Sequence, residues 1–154
     1  MKKATKKLIS FALAAILVLS TFMVSAYAAP VTLAVSVDKE SCLQGDSIVA
    51  TIYFPGIYDK AAALDVELNY DKSKLEVVKT EKGVGLTKAL NEQLNGKVFS
   101  ENSSVPGKIS WVLAGSNNFN FSGVFAVVTF KVRNTALNGE TLLDLNITSA
   151  ANSG

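Results

Sequence analysis

No histidine occurs anywhere in these 154 residues. That absence removes Ser-His and Cys-His nucleophilic systems, histidine-ligated zinc and imidazole general-base chemistry together. Cysteine occurs once, at Cys42, so no intramolecular disulfide can form even in a compartment that permits one. A small-hydrophobe role suits that thiol. No EF-hand spacing, Walker loop or dinucleotide fingerprint is present, and no cofactor is expected. Carboxylates alone suffice for a glycosidase, which needs two of them set across a cleft. Asp65 and Glu67, two apart in an alternating segment, instead point the same way from a flat surface. The chain therefore reads as non-enzymatic.

Long apolar runs are confined to the start of the chain. Lys2, Lys3, Lys6 and Lys7 precede an apolar stretch over residues 8–24, and Ala26-Tyr27-Ala28 offers a small-residue cleavage site with Pro30 just beyond it. Residues 1–28 are expected to be a secretory signal peptide and residues 29–154 the exported domain; a retained membrane anchor is the alternative. Without those four lysines, 11 basic residues face 13 acidic ones. The apparent basicity belongs to the leader, which argues against nucleic-acid binding. A secreted, extracellular protein with no membrane association after cleavage is expected. The remaining length suits one domain burying roughly two-thirds of its unfolded surface.

What is present is β-type patterning. Over residues 62–78, AALDVELNYDKSKLEVV, one face takes Leu64, Val66, Leu68 and Tyr70 and the other Ala63, Asp65, Glu67 and Asn69, the period of a half-buried strand. Asp71-Lys72-Ser73-Lys74 supplies turn chemistry and Leu75-Glu76-Val77-Val78 resumes as a strand. Upstream, Val31, Leu33, Val35 and Val37 share one side of a first strand, and residues 47–54 form a second, closed by Pro55-Gly56. Residues 82–96 change period: Leu86, Leu90 and Leu94 recur every four residues, and Asn95-Gly96 can end a short helix.

Strands resume over residues 97–100 and, after Pro106-Gly107, over 108–114, where Ile109, Trp111 and Leu113 are in phase. Gly123 opens a strand striped by Val124, Ala126, Val128, Phe130 and Val132, with Phe125 and Val127 opposite. A strand apolar on both sides is a covered one. Asn138-Gly139 turns into a last strand with Leu143, Leu145 and Ile147 on one side. Together these predict an all-β chain: a β-sandwich of jelly-roll topology with one short helix between the fourth and fifth strands. Such a sandwich binds sugars when rings lie exposed; Trp111 and Tyr70 are in phase with core residues, leaving Tyr53, Tyr58, Phe119, Phe121 and Phe125 as candidates.

The succession of an alternating strand, Tyr70-Asp71, a three-residue spacer and Leu75-Glu76-Val77-Val78 resembles the third and fourth strands of a cohesin, the module that docks dockerin-bearing proteins in bacterial cellulosomes. Gly56-Ile57 followed by Ala62-Ala63-Leu64-Asp65 resembles the lead into the third strand. Residues 108–115 resemble the sixth, Gly123-Val124-Phe125-Ala126 through Val132 the seventh, and Thr141-Leu142-Leu143 the start of the eighth. Order and spacing carry the likeness, which runs from Val31 onward.

The resemblance implies a flat face, built from strands three, five, six and eight, that binds a dockerin whose calcium is carried by the partner. Position by position, Asp65 matches an aspartate the family uses there, and Ala63 stands where asparagine is often found. Val112 and Ala114 match apolar contact positions, and Gly115 stands where some members have a glutamate. Glu67 shares the outward phase of Asp65. These six residues describe a small apolar centre with an acidic rim, suited to a helical partner carrying Lys or Arg. The family pattern also implies a further strand beside the first, so the domain is expected to be truncated at its C-terminal end, with any cell-surface attachment lying in downstream sequence. The function so implied is docking in cellulosome or cell-surface assembly and hence polysaccharide catabolism. The alternatives are a carbohydrate-binding or adhesive sandwich with a polysaccharide ligand, and a surface-layer or spacer domain.

Overall fold

Leu64, Val66 and Leu68 are fully buried while Asp65 and Glu67 between them stay half-exposed, the alternation of a strand with one wet face. A computed structural model describes residues 32–92 and 98–151. In chain order the elements are β1 (Ala34–Val37), β2 (Ser47–Tyr70), β3 (Leu75–Lys82), α1 (Val84–Glu92), β4 (Val98–Asn102), β5 (Lys108–Val132) and β6 (Leu143–Ala151). The expectations for residues 1–31, Leu94, Asn95, Gly96 and Lys97 lie outside the described residues.

The fold is an all-β sandwich of jelly-roll type with one short helix. Its two layers are made by two long strands that run through both. Residues 47–54 of β2 pair with residues 123–131 of β5, and residues 63–69 of β2 pair with residues 108–114 of β5. The first set carries β1 and β3 on its flanks, giving a back layer in the order β1-β2-β5-β3; the second carries β6 and β4, giving a front layer in the order β6-β2-β5-β4.

Separate second and third strands, and separate sixth and seventh strands, were expected on either side of Pro55-Gly56 and Gly123. Each pair instead runs on as one strand. At the bend the β2–β5 register thins to the pairs Tyr58 with Phe121 and Ala61 with Phe119, with shifts after Phe54, Tyr58 and Ala61, and such irregularities let paired strands curve. A bulge also corrects the phase of one stripe. Ile52 pairs with Ala126 and Tyr53 with Val124, so Phe125 is the extra residue. It turns inward and is fully buried, while Val124 is left half-exposed.

Between the layers lie Trp111, Phe119, Phe121, Phe125 and Phe130, all fully buried, with Phe125 meeting Trp111 edge-on at 5.9 Å and Phe54 likewise at 5.9 Å. Helix α1 closes one end through Leu86, Ala89 and Leu90. It sits directly against β5: a Cβ on Gly83 would overlap the carbonyl oxygen of Val124, and one on Gly85 that of Ser122. The edges β3 and β4 are clasped across the layers, where the Thr80 hydroxyl donates to Glu101 and the Lys82 ammonium lies 4.7 Å from the Phe99 ring centre. Asp71 builds the turn from β2 to β3, accepting from the Ser73 amide at 2.8 Å and from its hydroxyl at 2.6 Å. Those bonds hold its carboxyl below the usual value. Cys42 packs half-buried against the core; burial first, and then the Asp46 carboxylate, pushes its thiol up, away from the reactive thiolate.

Candidate functional site

The front layer presents one open face, and its relief follows from the register. Four rows of outward side chains cross it from β6 through β2 and β5 to β4. Nearest the bend lie Ala151, Ala63, Ala114 and Val98. Ser149, Asp65, Val112 and Ser100 come next, then Asn146, Glu67, Ser110 and Asn102, and at the foot Asp144, Asn69 and Lys108. The first two rows carry only short side chains, so the surface there is low. Val112 is 41% exposed and Val98 57% exposed. Beneath them Leu64, Val66, Ile109, Trp111 and Leu113 are fully buried, so the face rests on a packed layer that limits its movement.

Charge on this face is unevenly committed. The Lys108 ammonium donates to Glu67 at 2.9 Å. The Asn146 amide donates to Asp144 at 2.8 Å. The carboxylate of Asp65 has no side-chain partner among the described residues; only its backbone carbonyl is approached, by the Thr148 hydroxyl at 3.4 Å.

Of the six residues assigned to a binding set, Ala63, Asp65, Glu67, Val112 and Ala114 come together on this face. Gly115 follows the last regular pair, at the border where the strands begin to bend. The apolar part is not a centre ringed by acids. It is a strip along the bend, continued by Val112, with Asp65 beside it and Glu67 held by Lys108. Sequence reasoning missed Lys108, Val98, Ser149 and Asp144. Their membership depends on which strands pair and in what register, and neither is visible in local alternation.

The rings weighed for sugar stacking lie elsewhere. Trp111, Phe119, Phe121 and Phe125 are buried, and Tyr53 is half-buried on the back layer; the side chain of Tyr58 lies outside the described residues. Among the described residues, no group of three or more Cys, Asp and Glu is placed to hold a metal ion.

Residues 33–154 match the family model described as the cohesin domain. Among solved structures, the seventh ScaB type I cohesin of Pseudobacteroides cellulosolvens is 29% identical, covering 71% of this chain and 70% of its own, with a TM-score of 0.52. A type I cohesin–dockerin complex from Clostridium thermocellum superposes with a TM-score of 0.56 at 16% identity, over 79% of this chain and 87% of its own. The sixth cohesin of scaffoldin B from Acetivibrio cellulolyticus, solved with a Cel5 dockerin, gives 0.54 at 22% identity over 79% and 86%. No curated protein sequence matches the chain significantly.

Proposed function

This chain belongs to the cohesin family, and from that premise we propose that its front face docks a dockerin-bearing partner in the assembly of a cellulosome or a related extracellular complex. The observation that carries the reading is the Asp65 carboxylate, without a side-chain partner among the described residues, beside exposed Val112 on a low, closely backed sheet. Such a surface fits a helix packed flat against it, with small or apolar residues over the Ala63, Ala114 and Val112 strip and a Lys or Arg reaching Asp65. The role is non-catalytic, and the calcium belongs to the partner. Burial of Phe119, Phe121 and Phe125 favours this reading over a sugar-binding surface built on those rings.

Isothermal titration of the protein with a panel of calcium-loaded dockerins tests the assignment. Saturable binding by at least one dockerin, weakened by Asp65→Ala, is expected. Clear polysaccharide binding with no dockerin binding would overturn it. Secretion is part of the same proposal: N-terminal sequencing of exported protein should begin at Ala29, whereas recovery with Met1 intact in the membrane fraction would contradict it.

A further inference from the structure

One contact on the front face bears on which partners it accepts. Lys108 opens β5 opposite Asn69, yet its ammonium reaches diagonally to Glu67, whose own cross-strand neighbour is Ser110. Diagonal neighbours in a sheet are within reach of a long side chain. Lys108 and Glu67 keep 40% and 29% of their side-chain surface exposed, so the pair sits on the docking surface, not under it. With Asp144 hydrogen-bonded to Asn146, the described residues put three carboxylates on the face, and that of Asp65 is the one among them without a side-chain partner.

We propose that Lys108 is a specificity-determining residue that masks Glu67, so that the face accepts a partner with one basic residue over Asp65 and disfavours one with a second basic residue over Glu67. The inference rests on the docking reading above. Geometry gives the discrimination its scale. Two residues along a strand span about 7 Å, and four residues along a helix rise about 6 Å. A helix lying along β2 with Lys or Arg at positions i and i+4 would therefore set one cation over Asp65 and the other over Glu67. The first meets an open anion. The second meets the ammonium of Lys108, and a like-charge contact at an interface selects against a wrong partner. An acid left unmasked at that position would welcome both.

The test uses a dockerin that binds the wild-type chain, in two versions whose docking helix carries either one basic residue or a basic pair at i and i+4. Calorimetry should find the wild type preferring the singly basic helix by several-fold. Lys108→Met keeps the apolar stem and removes the charge; it should reverse the preference and raise affinity for the doubly basic helix by about tenfold. Lys108→Met combined with Glu67→Gln, which leaves no anion to expose, should lose that gain. Thermal melts of each variant check that the fold is kept. An unchanged preference in Lys108→Met, or a gain that survives Glu67→Gln, would overturn the role of Lys108 while leaving docking intact. If no dockerin binds the wild type, the docking reading falls and this inference falls with it.

Discussion

The two layers of this sandwich share their long strands, yet their outward surfaces have opposite characters. On the back layer the outward positions of β2 and β5 include Val49, Thr51, Val127 and Thr129, β-branched residues that favour strands and stiffen them. Its edge strand β3 carries Lys79 and Glu81 paired at 2.8 Å, and Glu76 meets Arg133 at 3.6 Å. Charges on an edge discourage strand addition, and these are already satisfied within the chain. On the front layer the two rows nearest the bend carry Ala63, Ala114, Ala151, Ser100 and Ser149, and the Asp65 carboxylate has no side-chain partner among the described residues. The difference teaches that the face proposed for docking is set apart less by what it adds than by what it leaves out: bulk that would hold a partner away, and a counter-charge for Asp65.

The comparison fails first if the shared interior is removed. Phe125→Ala empties a fully buried site in contact with Phe54, Trp111 and Phe121, and should destabilise the protein by about 3–5 kcal/mol. Denaturant unfolding checks this, and near-wild-type stability would mean that the layers do not depend on one core. Matched substitutions then separate the faces. Val112→Asp on the front should weaken a bound dockerin by about 2 kcal/mol or more, while Val127→Asp on the back should change binding by less than about 0.5 kcal/mol. Equal losses in titrations would erase the distinction.

Asp65→Ala should weaken binding by about 1–3 kcal/mol if its partner donor is buried, and by less at the rim; unaltered affinity would remove Asp65 from the site. The smallest effect on stability belongs to the turn that joins the layers. Asp71→Ala should lower stability by about 0.5 kcal/mol, since its bonds to Ser73 are exposed. Because folding lowers the Asp71 pKa below 3.8, its contribution is present above that value and is lost as pH falls through the folded-state value. The gap between wild type and Asp71→Ala should narrow in melts taken into that acid range.

Where a strand has one wet and one dry side, the alternation was legible directly. Leu64, Val66 and Leu68, and likewise Ile109, Trp111 and Leu113, are buried as their spacing requires. Helix α1 was legible from Leu86 and Leu90. Phe125 was not, because a bulge is a property of two strands and inverts a phase counted along one. Pro55-Gly56 looked like a stop because local chemistry permits a turn there, whereas the strand runs on between the pairs Phe54 with Gly123 and Tyr58 with Phe121. The face was legible in Asp65, Glu67 and Val112, whose outward phase is local. The tie between Glu67 and Lys108 joins residues on distant segments and needed the register.

The long β2–β5 ladder has a kinetic consequence. It is not a hairpin that grows from its own turn. Even the pair nearest along the chain, Asn69 with Lys108, is separated by β3, α1 and β4, and the far pair, Ser47 with Lys131, by most of the domain. A large loop must close before the first rung forms, and its entropy is spent before any ladder bond rewards it. Folding should therefore run on a timescale of roughly milliseconds to seconds, as for other non-local β topologies. The search should favour the foot of the front face, where the loop is shortest, so the face proposed for docking would also be where the ladder begins.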